Sequence, residues 1–152
     1  MSSGYNIFPL NPTFSGEDAI LWLAGIGLEL PPNWEQSRVP TPEDFRSALR
    51  EWEDCEYGES IKGDDLTIWA TERGNKERDS STIIFISNYT DGHADIDMAS
   101  WLRFNNGRPD WLVAVTERLA QRCGPFLLTD VGGGATIVTS GTARNAAWVD
   151  LP

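Results

Sequence analysis

The strongest pattern in the chain is a run of four large apolar residues, Ile83, Ile84, Phe85 and Ile86, within segment 81–89. A strand with one wet face alternates apolar and polar positions, so an unbroken run predicts a strand covered on both sides. Its neighbours do alternate. Leu66, Ile68 and Ala70 interleave with Thr67, Trp69 and Thr71, and Ala94, Ile96 and Met98 interleave with Asp95 and Asp97. Both have the two-residue period of a half-buried strand. A polar link at 72–79 and a turn at Asp91-Gly92 join the three into an antiparallel meander over residues 64–99. Residues 126–131 and 135–139 read as a second hairpin, 126–139, turned by Gly132, Gly133 and Gly134. Residues 5–8 read as an edge strand stopped by Pro9 and Pro12. The stretch through Gly58 reads as a loop.

Helical periods occupy the gaps. Phe45, Ala48, Leu49 and Trp52 recur at i, i+3, i+4 and i+7, behind Thr41 as cap and Pro42 at the first helical position. Leu112, Val115 and Leu119 form a second stripe, opened by Pro109-Asp110 and ended by Gly124-Pro125. A shorter apolar helix over residues 19–24 starts at Ser15 and the acids Glu17 and Asp18. Beyond Gly141 the chain reads as a tail in which Trp148 and Val149 dock on the body. The expected fold is α+β: an antiparallel sheet of about five strands packed with two to three helices, all in one domain spanning 1–152.

Composition changes this picture little, and charge changes it more. A chain of 152 residues with seven Trp, six Phe and three Tyr has ample apolar area for one core. No apolar run approaches the length of a membrane span, and residues 1–5 lack the basic start and apolar core of a signal peptide. The expected location is the cytoplasm. Cys55 and Cys123 suggest neither a disulfide framework nor a zinc knuckle, and read as reduced, packed thiols. The net charge of −11 disfavours nucleic acid and anionic membrane as partners, because both call for a basic face.

Motifs for chemistry are sparse. Gly132–Gly134 runs into a strand, so it lacks the helix N-terminus that a phosphate-cradling loop needs. On an extended backbone Asp91, His93, Asp95 and Asp97 share one face. His93, Asp95 and Asp97 are then weak candidates for a metal, since imidazole and carboxylate both coordinate divalent ions. His93 is the one histidine, and no nucleophile is placed beside it by sequence. No catalytic residue and no cofactor are therefore expected, and an enzyme is the less favoured reading.

The most informative stretch is acidic. Residues 43–65 hold nine acids against three bases, a balance of −6. Glu51, Glu53, Asp54, Glu56 and Glu59 are expected to crowd the C-terminal end of the Phe45–Trp52 helix, where the dipole disfavours anions. With Trp52 and Tyr57 as apolar contacts, they form a candidate surface for a basic protein partner. A bacterial immunity protein that neutralises a toxin is the specific form suggested, by analogy of charge alone. The alternative is a small-molecule or carbohydrate-binding domain, or an enzyme, with a cleft lined by Trp69, Trp101 and the Asp91–Asp97 face. Self-association of the chain is a third expectation.

Overall fold

The computed structural model describes residues 4–14, 16–63, 65–86 and 103–152. Among these residues eight strands form one sheet: β1 (Gly4–Pro9), β2 (Cys55–Lys62), β3 (Asp65–Glu72), β4 (Ser81–Ile86), β5 (Arg103–Asn105), β6 (Phe126–Asp130), β7 (Gly134–Val138) and β8 (Val149–Asp150). Their order is β2-β3-β4-β5-β1-β6-β7-β8, and every neighbouring pair is antiparallel. Three helices of two turns or more accompany the sheet: α1 (Glu17–Gly25), α2 (Pro42–Arg50) and α3 (Pro109–Cys123). No helix among the described residues is long and apolar enough to cross a membrane.

The α+β class and the antiparallel sheet match expectation, but the sheet has eight strands rather than about five. Two of the additional strands, β5 and β8, are three and two residues long, too short for a period to show. The third, β2, was hidden for a physical reason. Its helix-side face carries Glu59, whose carboxylate accepts from Arg46 of α2 at 2.9 and 3.1 Å. A polar residue satisfied by an ion pair breaks the apolar alternation that marks a strand. The third strand expected in the meander, over 94–99, lies outside the described residues.

Helices α2 and α3 cover one face of the sheet. The core there includes Phe45, Leu49, Leu66, Ile68, Ile84, Phe104, Trp111, Leu112 and Leu128, all inaccessible to solvent. On the opposite face, the segment leaving β1 folds back and packs Leu10, Leu23, Phe14 and Trp34 over Phe8, Leu127, Ile137 and Val149. That second layer reaches only the β1-β6-β7-β8 half. β1 lies between β5 and β6 with Tyr5 and Ile7 buried, so it is an interior strand and not an edge. Pro9 is its last residue, where a missing N–H interrupts no further pairing. The tail does dock: Trp148 meets Tyr5 edge-on at 6.0 Å, and Val149 pairs with Ala135.

Helix boundaries follow the local chemistry. Thr41 caps α2 in a reciprocal box: Asp44 N–H donates to Thr41 Oγ1 at 3.2 Å, and Thr41 N–H donates to Asp44 Oδ2 at 2.7 Å. Gly124, at φ 83°, ends α3 in a conformation that L side chains rarely adopt, and a Cβ there would sit 2.8 Å from backbone atoms of Ser37.

Candidate functional site

Strand alternation decides where the acidic segment goes. α2 ends at Arg50 with Glu51 as its cap, so Glu51 alone meets the unfavourable end of the dipole. Glu53 and Asp54 lie beyond it in the turn into β2, and Glu56 and Glu59 lie on β2 itself. The expected crowding at the helix end is thus corrected: the chain leaves the helix one residue after Arg50 and becomes extended at Cys55.

The seven candidate residues separate accordingly. Glu51, Glu53 and Asp54 are exposed, and they make no ion pair among the described residues. Glu56 is exposed on the outer sheet face, 3.7 Å from Arg73. Tyr57 and Glu59 point to the helix side, opposite Ala70 and Ile68 in the register. The Tyr57 hydroxyl donates to Glu59, and burial together with that carboxylate pushes the phenol up to about 12. The Arg46 guanidinium holds Glu59 below the usual carboxylate range. Trp52 is half-buried and stacks on Trp111 at 4.9 Å, with the Arg118 guanidinium over its ring at 5.4 Å. Of the seven, Glu56 alone lies on the outer face; Glu51, Glu53 and Asp54 are exposed in the turn that leads into β2, while Trp52, Tyr57 and Glu59 belong to the helix layer.

That outer face also departs from the two-sided cover that the apolar run of β4 predicts. Ile83 and Phe85 are 41% and 46% exposed, so among the described residues these two positions of β4 are left uncovered. Ile83 lies directly opposite Trp69, which is 38% exposed, and Phe85 lies opposite Thr67. Among the described residues, the β2-β3-β4 half of this face has no layer over it. The available signal was the pairing itself. Once Thr67, Trp69 and Thr71 are assigned outward, any residue opposite Trp69 must point outward too.

Trp69 is held flat by its neighbour. A Cβ at Gly58, its register partner, would sit 2.2 Å from the indole. Gly58→Ala is expected to lift the ring off β2 and cost about 1 kcal/mol. In a Trp69→Ala background the same change is expected to be neutral or slightly stabilising, and paired urea titrations measure the difference.

Among the described residues, half-buried ionic groups tie segments of the fold together. Glu72 joins three segments: it accepts from Arg108 and Asn75 at 2.9 Å each and from Arg144, and Arg144 also lies 3.3 Å from Asp110. Both cysteines are free and buried. Burial pushes Cys55 up to about 11 and Cys123 up to about 12, so both remain protonated, unreactive thiols at neutral pH. No group of three or more His, Cys, Asp and Glu side chains among the described residues is placed to hold a metal ion. Asp91, His93, Asp95, Asp97 and Trp101 lie outside the described residues. Comparison with known proteins adds nothing further: no family model, no curated protein and no solved structure matches the chain.

Proposed function

We propose that the chain is a protein-binding domain that docks a basic partner on the open half of its sheet. The observation that carries this reading is the row of Trp69, Ile83 and Phe85, side by side on β3 and β4 and each more than a third exposed. Aromatic side chains in such a row supply the desolvated centre of an interface. Glu56 lies on the same face, one row from Trp69, and Glu51, Glu53 and Asp54 continue the negative charge around the turn. Anions at the rim of an apolar patch steer a cationic partner and set its association rate more than its affinity. A toxin-neutralising role of the immunity type is the specific form consistent with the net charge of −11.

The test is affinity capture at low salt with three forms of the protein. The unaltered chain is expected to retain one basic protein stoichiometrically. Trp69→Ser with Phe85→Ser is expected to lose it, and Glu51→Lys with Glu53→Lys and Asp54→Lys to slow association and flatten its salt dependence. A partner held equally well by the Trp69/Phe85 variant would overturn the reading.

A further inference from the structure

β2 is the outermost strand of the sheet: β3 pairs with one of its sides, and among the described residues no strand pairs with the other. It is eight residues long, contains no proline, and keeps an unbroken register from Cys55↔Glu72 to Lys62↔Asp65. Edges of this length are usually shortened, bulged or masked, because they template further pairing. Among the described residues only the start of β2 is covered, where the Arg73 guanidinium donates to the Glu53 and Cys55 carbonyls at 2.8 and 3.1 Å.

The hydrogen-bond phase is fixed by Arg73 N–H donating to the Asp54 carbonyl at 2.8 Å. The even-numbered residues of β2 therefore bond to β3, and the main-chain groups of Tyr57, Glu59 and Ile61 point away from the sheet. We infer that these groups pair antiparallel with β2 of a second copy, about a two-fold axis at Glu59.

The register is chosen by the side chains. Centred on Glu59, the pairing sets Tyr57 opposite Ile61 of the second copy on the helix-side face and Glu56 opposite Lys62 on the outer face. Both contacts are complementary, and each occurs twice. Ile61, otherwise 53% exposed at the end of the strand, gains an aromatic cover. Centring on Gly58 instead sets Tyr57 against Glu59 and leaves Glu56 opposite Ser60; centring on Ser60 sets Glu59 against Ile61 and leaves Lys62 opposite Gly58. The like pair at the axis, Glu59 against Glu59, is relieved inside each copy by Arg46 and by the Tyr57 hydroxyl. About six main-chain hydrogen bonds over a small area give an affinity on the order of micromolar.

Sedimentation equilibrium across about 1 to 100 μM brackets such an affinity, and the mass is expected to rise from one chain to two. Glu56→Lys and Lys62→Glu are each expected to weaken the dimer about 10-fold, since each places like charges opposite one another twice. The double exchange Glu56→Lys/Lys62→Glu is expected to restore it. Ile61→Pro removes an outward N–H that β3 does not use and is expected to leave a folded monomer by circular dichroism. If that variant fails to fold, the charge exchange decides alone. A monomer at every concentration, a dimer indifferent to the single reversals, or weakening that the double exchange does not reverse would each overturn the proposal.

Discussion

Replacing Trp111 with alanine is expected to remove about 4 kcal/mol of folding stability, the largest loss of any single substitution considered. Three kinds of contact converge on this side chain. It projects from α3 and is fully buried in the core shared with the sheet and α2. Its indole N–H donates to the Ala70 carbonyl at 3.2 Å, and its ring stacks on Trp52 at 4.9 Å with the planes 12° apart. The Arg144 guanidinium lies 5.6 Å from the ring centre, which ties the C-terminal segment to the same point. Alanine leaves a cavity that the β-sheet on one side cannot close, and it removes the ring on which Trp52 stacks. Domains of this size have about 5–15 kcal/mol in all, so the variant is expected to lie close to its unfolding threshold. Trp111→Phe keeps most of the volume and is expected to cost about 1.5 kcal/mol. Urea titrations give both values, and a Trp111→Ala loss below that of Trp111→Phe would contradict this account of the core.

The same residues show why part of the fold was legible beforehand. α2 and α3 announce themselves because cap, proline and apolar stripe agree: Thr41, Pro42 and Phe45 for one, Pro109, Leu112 and Gly124 for the other. Local and long-range preferences point the same way there. β3 is equally plain, since Leu66, Ile68 and Ala70 are buried and Trp69 is not. β2 is not plain, because what fits it to the helix layer is the Arg46–Glu59 pair, a contact between residues 13 apart that no period records. For β4, hydrophobicity predicts a covered strand, whereas the outward face of Ile83 and Phe85 depends on which half of the sheet the segment after β1 reaches. That is a property of topology rather than of local sequence. The acidic segment follows the same rule: the apolar stripe through Trp52 predicts a helix that runs past Arg50, whereas the backbone is extended from Cys55, and strand alternation then separates Glu56 from Tyr57 and Glu59.

Asp44 carries the other large expected effect, and it is felt most in acid. Its side chain is 5% exposed and accepts from Arg38 at 2.6 and 2.8 Å, from the Thr41 main chain at 2.7 Å, and from Arg122 at 3.4 Å. Burial by itself would raise the carboxyl pKa; the Arg38 guanidinium and the Thr41 donors outweigh it and hold the group well below the usual range. Asp44→Ala deletes the helix cap, about 1 kcal/mol, and the charged hydrogen bonds. Arg38 is half-exposed and rehydrates once freed, so the total is expected near 3 kcal/mol, at the low end for breaking a buried pair. Asp44→Asn retains an acceptor for the cap and is expected to lose about half as much. Because the folded pKa lies below the unfolded one, this stabilisation is complete above the unfolded value and disappears as pH falls through the folded value. Glu72 acts in the same direction. Burial would raise it, but Asn75, Arg144 and Arg108 bring it from 4.5 down to about 2. Stability is therefore expected to hold from neutrality to near pH 4.5 and to fall steadily toward pH 2. Asp44→Asn and Glu72→Gln, each less stable at neutral pH, are expected to show a shallower acid decline than the unaltered protein. Urea midpoints measured across that range decide the matter: parallel declines in all three proteins would show that neither carboxylate governs the acid transition.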